Sequence, residues 1–316
     1  MSRVEVRTED LLAAAVAVAL ALFVGIRSAL DEIRLSPEDT WDVFFTLAPV
    51  SVLIFGASVR FALGREGGGA SGVFRRIGRV LRDWSPFFFF FLLYETFAQN
   101  VWKALLPRDR DAELLRLDRL LFGETPALRL ESLVHPVLTD VLAVAYFLHL
   151  VLPPILAWIW YRRDLRVFRH LLLSIFLAGV IGVFGYLMVP AVGPGSAFPE
   201  SFRGGLTGLF YGPVTWTLDQ ARAPRDVFPS LHVGISTIVL VFARKRGRIA
   251  FWIVLPLVAA NWMSTLYLRY HYMVDVIAGW AVAPLAVAAG AAFLALEDRL
   301  RRRSSRLGDS SRGVAL

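Results

Sequence analysis

The sequence predicts an all-α bundle that crosses a membrane about eight times. Of its 316 residues, 56% are hydrophobic and only 19% are charged, whereas an average soluble domain has about 25% charged residues. The mean hydropathy is +0.57. A bilayer core of about 30 Å needs about 20 mostly apolar residues in each helix. Segments of this kind lie near residues 11–30, 41–63, 84–106, 136–160, 170–189, 228–243, 249–267 and 272–296.

The distribution of basic residues supports the same topology, because cytoplasmic loops carry an excess of Lys and Arg. The N-terminus, the C-terminal tail and the connections 64–83, 161–169 and 244–248 together hold roughly twice as many Lys and Arg residues as the other connections. Both termini are therefore predicted to be cytoplasmic. The short sixth segment must also span the membrane, because otherwise the basic connections would not all lie on the cytoplasmic side. We interpret the first segment as an uncleaved span rather than a signal peptide, because no small-residue cleavage site follows it.

Composition also disfavours several classes of function. The formal net charge of +8, from 34 Lys+Arg and 26 Asp+Glu, is explained by these basic loops, so nucleic acid is not a predicted partner. The chain has no cysteine, which excludes a disulfide framework, a thiolate metal site and a cysteine nucleophile.

Two of the predicted outer connections are too long to be simple turns. Residues 107–135 are predicted to contain an amphipathic helix at the membrane interface. Its two faces carry leucines and arginines respectively: Leu114, Leu117, Leu120 and Leu121 on one side, and Arg116 and Arg119 on the other. Residues 190–227 are rich in Gly and Pro but also in aromatic residues, so we interpret them as a lid or wall over an outward-facing site.

The groups that can do chemistry stand where two predicted helices begin. Ser230 and His232 open the sixth helix, and His271 and Asp275 open the eighth. Both helices start at the outer face, where unpaired N–H groups and the helix dipole favour an anion. His271 and Asp275 are four residues apart and share a helix face, so the carboxylate can orient the imidazole.

Two other interpretations of these histidines were weighed. They could merely satisfy hydrogen bonds within the bundle, but ionisable groups at membrane depth are costly and are usually functional. A zinc site is conceivable from His232, His271 and Asp275 by ligand type. No metal is predicted, because a metal-binding spacing such as H-E-x-x-H is absent from the sequence.

These motifs resemble those of the type 2 phosphatidic acid phosphatase superfamily. Pro229-Ser230-Leu231-His232 is similar to the P-S-x-H signature, and His271 with Asp275 is similar to the end of the S-R-x5-H-x3-D signature. Ser264 to Gly279 fit the pattern S-T-x-Y-L-x-x-H-Y-x-V-D-x-x-x-G, which is typical of the branch that contains inositol phosphorylceramide synthases. A weaker likeness reaches back to about residue 83 and includes Tyr94, Leu121-Phe122-Gly123, Tyr146 and His149.

The resemblance implies a domain division and a role for each site residue. The catalytic domain would cover 84–296, after two spans and a basic loop in 1–83 and before a basic tail in 297–316. His271 would attack phosphorus to form a phosphohistidine, and Asp275 would orient it. His232 would protonate the leaving oxygen and then activate the acceptor, while Ser230 and nearby N–H groups hold phosphate oxygens. No metal or other cofactor is implied.

Two departures from the superfamily pattern concern positive charge. Its K-x6-R-P element is not recognisable, and Thr265 stands where the wider superfamily has arginine. The candidates to neutralise the phosphate are Arg222, Arg225 and Arg269, with Arg203 a weaker one, and the alternative for each is a solvated loop charge. Ser264 and Thr265 share a face of the seventh span with Asn261 and are predicted to point at the site.

The sequence therefore predicts an integral membrane enzyme that acts on a lipid phosphate or phospholipid at the extracytoplasmic leaflet of a bacterial plasma membrane. With water as acceptor it would be a lipid phosphate or polyprenyl diphosphate phosphatase. With a polar alcohol such as inositol or a sugar it would be a phosphotransferase. The main alternative is a transporter or lipid flippase that uses a polar stripe of Glu95, Gln99 and Lys103. A scaffold that binds anionic lipid through Arg299–Arg306 is a third possibility.

Overall fold

The computed structural model describes residues 78–94, 109–221 and 225–312, together with residue 7 and parts of 11–26. Within these ranges the chain is helical, and its strand-like pairing is limited to a single bridge between Ala191 and Asp226. The main helices are α1 (Ser85–Leu93), α2 (Asp111–Phe122), α3 (Pro136–Tyr161), α4 (Leu165–Met188), α5 (Tyr211–Ala221), α6 (Leu231–Arg246), α7 (Arg248–Tyr267) and α8 (Met273–Arg312). Four short helical turns lie between them, at Pro126–Arg129, Leu130–Leu133, Pro194–Ala197 and Pro199–Ser201. The all-α prediction is confirmed.

Four described helices are long and apolar enough to cross a membrane: α3, α4, α7, and α8 as far as Arg303. The predicted membrane helical bundle is therefore confirmed, whereas the count of eight spans is not. The sixth predicted span is the 16-residue helix α6. The third is described only over residues 84–94, which contain α1. The second predicted span and the stripe of Glu95, Gln99 and Lys103 lie outside the described residues.

Helix α4 forms the centre of the bundle and packs against α1, α3, α6 and α8. Its most enclosed side chains have no exposed surface: Phe168, Leu171, Leu172, Leu173 and Ile175. Helix α7 lies at the periphery and turns Ile249, Trp252 and Ile253 outward, with exposed fractions of 79%, 62% and 62%. An apolar outer surface of this kind suits contact with lipid, because the backbone polar groups are satisfied inside the helix.

The basic connections between described helices lie at one end of the bundle. A turn at 162–164 joins α3 to α4, and Gly247 alone joins α6 to α7, so each pair is antiparallel. At this end Arg169 bonds Glu297 of α8 at 2.9 Å. Because α8 continues to Arg312, the predicted basic tail begins as part of a helix. The starts of α6 and α8 therefore lie at the opposite end.

The helix predicted within residues 107–135 is present as α2, and two of its three buried residues are acidic. Its buried residues are Asp111, Leu114 and Asp118. The other leucines of the predicted apolar face, Leu117, Leu120 and Leu121, are exposed. The inward carboxylates were not anticipated, and they attach α2 to the segment that carries His271.

The predicted lid, 190–227, contains a further helix that the Gly and Pro content did not suggest. Helix α5 starts where the Asp140 carboxylate of α3 accepts the N–H groups of Leu209, Phe210 and Tyr211 at 2.8–2.9 Å. A carboxylate that satisfies the first N–H groups of a helix stabilises its start. One side chain of α3 thus holds the start of α5 within this segment.

Candidate active site

His232, His271 and Asp275 come together at the starts of α6 and α8. The His232 and His271 rings have centroids 5.5 Å apart. His271 is buried, and its Nδ1 lies 3.5 Å from Oδ2 of Asp275, which has no exposed surface. This placement leaves Nε2 as the His271 nitrogen that does not face the carboxylate. The three residues predicted to be catalytic therefore form one cluster.

The two helices approach closely because Gly279 lacks a side chain. A Cβ at Gly279 would lie 2.5 Å from the Ser230 carbonyl oxygen, well inside van der Waals contact. The Ser230 N–H also donates to the Asp275 carbonyl at 3.1 Å. The backbone next to His232 is thereby held against the first turn of α8.

Ser230 is fully buried and caps α6. Its hydroxyl accepts the N–H of Val233 at 3.4 Å, as expected for a serine at this position of a helix. A predicted phosphate-binding residue thus also fixes the helix start that carries His232.

The start of α8 differs from the prediction that it offers unpaired N–H groups to an anion. Asp118 of α2 accepts the N–H groups of Met273 and Val274, both at 3.0 Å. Asp275 accepts the N–H of Tyr272 at 2.8 Å, the reciprocal bond of a capping box. Two carboxylates of the chain therefore occupy the positive end of this helix, and the prediction of an open anion site there is wrong.

His232 is enclosed by two aromatic rings of α3. Tyr146 stacks on it with a centroid distance of 4.3 Å, and its hydroxyl lies 3.5 Å from Nδ1 of His232. The ring of His149 meets it edge to face at 3.9 Å, and Nδ1 of His149 lies 2.7 Å from the Tyr146 carbonyl. His149 was interpreted as structural, and no role was assigned to Tyr146. Their i, i+3 spacing was the available signal, since it places both on one helix face.

An open cavity reaches His232 from between α1, α3, α4 and α6. Most of its wall is apolar, and Phe87, Phe90 and Phe91 of α1 form one side. Its polar lining includes Tyr94 and Asp226, which are hydrogen-bonded to each other. Tyr146, His149 and Tyr270 also line it. Such a cavity matches an apolar chain with a polar head.

The hydroxyls of Ser264 and Thr265 bond within α7, and the backbone of Thr265 contacts the segment of His271. Their hydroxyls donate to the carbonyl oxygens of Asn261 and Trp262 within α7, each at 2.7 Å. The Thr265 carbonyl accepts the N–H groups of Tyr270 and His271 at 3.1 Å. Direct contact of these two hydroxyls with substrate stays a prediction.

Two of the predicted phosphate-binding arginines, Arg225 and Arg269, bind other groups of the protein. Nε of Arg225 lies 2.5 Å from Oδ1 of Asp109. Arg269 donates to the Gly204 carbonyl at 2.6 Å and stacks on Phe202. Burial lowers the pKa of Arg269, and nearby Glu131 opposes that shift. The backbone N–H of Arg203 donates to Glu131, and Arg222 lies outside the described residues.

Within the described ranges, His, Asp and Glu side chains do not form a group of three that could hold a metal ion.

Comparison with known proteins agrees with the motifs of this site. A family model described as the PAP2 superfamily matches residues 112–289, which include both histidines and Asp275. The chain is 26% identical over 200 residues to a protein of Bacteroides thetaiotaomicron named phosphoinositol dihydroceramide synthase. That match covers 55% of this chain and 65% of the relative. No solved structure matches significantly. Because the family model covers more than half of the residues, the chain belongs to the PAP2 superfamily.

Proposed function

We propose that this protein is a membrane phosphotransferase that moves a phosphate-containing group from a phospholipid to an alcohol through a phosphohistidine on His271. The carrying observation is the arrangement of two facing histidines, 5.5 Å apart, with Asp275 beside one of them. Membership of the PAP2 superfamily supports lipid phosphate chemistry. Similarity to a protein named as a synthase favours transfer over hydrolysis. If water takes the place of the alcohol, the same steps give a lipid phosphatase.

The chemistry follows from the two imidazoles. Nε2 of His271 attacks phosphorus while the bond from phosphorus to the leaving oxygen breaks, and protonated His232 gives its proton to that oxygen. Neutral His232 then takes the proton of the acceptor hydroxyl, whose oxygen attacks phosphorus. The phosphorus–nitrogen bond breaks, and His271 is restored. Asp275 stabilises the charge that His271 gains and fixes its orientation.

The substrate in this proposal is a lipid because of the cavity beside His232. Its apolar walls suit an acyl chain, and its polar residues stand where the headgroup or the acceptor hydroxyl would lie. A polar acceptor such as inositol or a sugar would have to enter from the lid side. Ser230 supplies a hydroxyl for the phosphate.

Positive charge for the phosphate is proposed to come from the predicted arginines. Arg225 directly precedes Asp226, which lines the cavity, so a bound phosphate would compete with Asp109 for its guanidinium. Arg222 and Arg269 are further candidates, and Arg269 would have to give up its contacts with the lid.

We also propose that the site faces the extracytoplasmic side. The basic connections lie at the opposite end of the described helices, and such connections stay in the cytoplasm. A cysteine introduced at Gly204 should react with an impermeant maleimide on intact cells, whereas one at Gly247 should not. The reverse pattern would place the site in the cytoplasm.

The proposed reaction is tested with purified full-length protein in detergent, using phosphatidylinositol labelled in its headgroup and dihydroceramide as acceptor. Wild-type protein should form an acid-labile, alkali-stable label and should transfer it to the acceptor, with no loss of activity in a chelator. His271→Ala should form no label. His232→Ala should impair both half-reactions.

His135→Asn is the matched control, because His135 is exposed at the same end and its side chain caps α3. It should retain wild-type activity. Label that persists in His271→Ala would overturn the nucleophile assignment. Failure to cleave any of a panel of phospholipids, lipid monophosphates and diphosphates would overturn the enzyme proposal in favour of a transporter.

A further inference from the structure

Helix α2 carries two buried carboxylates that the proposed mechanism does not use. Asp118 has no exposed surface, and Asp111 is 4% exposed. They are seven residues apart, which places both on the inward face of the helix with Leu114. Buried carboxylates are retained where hydrogen bonds compensate for the loss of water, so their partners indicate what they hold.

Two partners of Asp118 lie two and three residues after His271 in the chain. Besides the N–H groups of Met273 and Val274, its carboxylate accepts the hydroxyl of Thr125 at 2.5 Å. Three donors of the protein thus satisfy one carboxylate. Because each carboxylate oxygen accepts one of two consecutive N–H groups, the backbone that follows His271 is held at two adjacent residues.

Asp111 holds the other side of the same segment. Its Oδ1 accepts the hydroxyl of Tyr272 at 2.9 Å and the N–H of Gly193 at 2.9 Å. Its Oδ2 accepts the N–H of Val192 at 3.0 Å. Helix α2 therefore ties the residue next to His271 to the beginning of the lid.

We propose that Asp118, supported by Asp111, is a positioning residue for His271. It fixes the start of α8 so that His271 and Asp275 keep their mutual geometry, and its carboxylate fills the helix end that a substrate phosphate would otherwise enter. The phosphate is thereby directed toward Ser230 and His232. The catalytic part of this role rests on the proposed function, whereas the structural part does not.

The charge of Asp118 has a measurable consequence for His271. Asp275 of α8 and His232 of α6 lie beside the His271 ring. Asp111 and Asp118 of α2 bond the three residues that follow His271, among them the ionisable Tyr272. A nearby negative charge favours protonated imidazole. Removal of one carboxylate should therefore lower the pH at which His271 becomes neutral.

The test uses the full chain in detergent and compares Asp118→Asn with Glu113→Gln. Glu113 is the matched control, because it is an exposed acid of the same helix bonded to Arg110. The rate at which diethyl pyrocarbonate modifies His271 is followed against pH by peptide mass spectrometry, since this reagent attacks neutral imidazole. This readout does not require catalysis.

Asp118→Asn should move the midpoint of His271 modification to lower pH by roughly half a unit to one unit. It should also slow phosphoenzyme formation per labelled site about tenfold or more, because a small misplacement of a reacting group is costly. Glu113→Gln should change neither quantity. If Asp118→Asn does not fold, Asp111→Asn should give the same direction of shift.

An unchanged midpoint in both folded variants, or a per-site rate within about threefold of wild type, would overturn the positioning role. Loss of protein yield alone, with wild-type midpoint and per-site rate, would also overturn it, because that is the result of a purely structural contact. Absence of any phosphoenzyme in wild-type protein would instead count against the proposed function, and the modification profile would still decide the role of Asp118.

Discussion

The close approach of α6 and α8 at Gly279 leads to a specific prediction for Gly279→Ala. The new Cβ would lie 2.5 Å from the Ser230 carbonyl oxygen and 3.0 Å from Cβ of Val233. An ordinary contact would require the start of α6 to move by roughly 1 Å, because both neighbours belong to a packed helix. That segment carries Ser230 and His232, so the displacement changes the spacing of the two histidines.

The magnitude can be estimated separately for stability and for activity. Overpacking a core lowers the free energy of unfolding by about 1–3 kcal/mol, whereas replacing a helical glycine by alanine raises it by about 0.5–1 kcal/mol. The net loss of stability for Gly279→Ala should therefore be about 0–2.5 kcal/mol. Activity should fall more, by about 100-fold in kcat/KM, because a 1 Å misplacement of a catalytic group can cost that much.

The matched control is Gly234→Ala, which places a methyl group at the same interface from the other helix. Its Cβ would lie 3.4 Å from the Gly279 carbonyl oxygen, an ordinary contact. Headgroup transfer should stay within about threefold of wild type in this variant, since no backbone movement is required. Thermal unfolding in detergent measures the stability of both proteins. Wild-type transfer by Gly279→Ala, or equal losses in the two variants, would refute the reasoning.

Three further predictions concern the residues around the site. Asp140→Asn should weaken the attachment of the lid to α3, because three N–H groups lose a charged acceptor. Limited proteolysis between residues 202 and 211 should therefore become faster, and an unchanged cleavage rate would contradict the prediction. Arg225→Gln should raise KM about tenfold if a bound phosphate replaces Asp109 as the partner of the guanidinium. Arg269→Gln should chiefly make proteolytic cleavage of the lid faster. The opposite pattern would mean that Arg269 binds the phosphate and Arg225 holds the lid. His149→Phe keeps an aromatic ring packed on His232 but removes the ring nitrogens. We expect kcat to fall about tenfold with KM unchanged. A wild-type kcat would show that only the packing of the ring is needed.

The cluster of His232, His271 and Asp275 could be predicted from the sequence because its signals are local. His271 lies two residues before α8 and Asp275 lies in the first turn of that helix, only four residues further along the chain, and Ser230 and His232 lie at the start of α6. The alternation of basic loops was enough to place both helix starts at one end, and the structure places them at one end of the described bundle. The 16-residue length of α6 is the reason that hydropathy alone would have missed it.

The contacts of α2 could not be predicted in the same way. Asp118 bonds Met273 across 155 positions of the sequence, and no local pattern encodes such a pairing. The amphipathic pattern also misleads at a membrane interface, because leucines can face lipid while carboxylates face the protein. Leu120 is 78% exposed and Asp118 is fully buried, the reverse of what a soluble helix would show.

The starts of α6 and α8 look equivalent in sequence, but their caps give them different electrostatic roles. The uncharged hydroxyl of Ser230 caps α6, so this residue adds no negative charge at the positive end of the helix dipole. Carboxylates of Asp118 and Asp275 cap α8, and an approaching phosphate would be repelled there. The phosphate is therefore best placed near Ser230 and His232, and His271 would reach it from the side of the carboxylates. Attack from that side keeps the nucleophile in negative surroundings, which favour the positive charge that develops on imidazole as its nitrogen bonds to phosphorus.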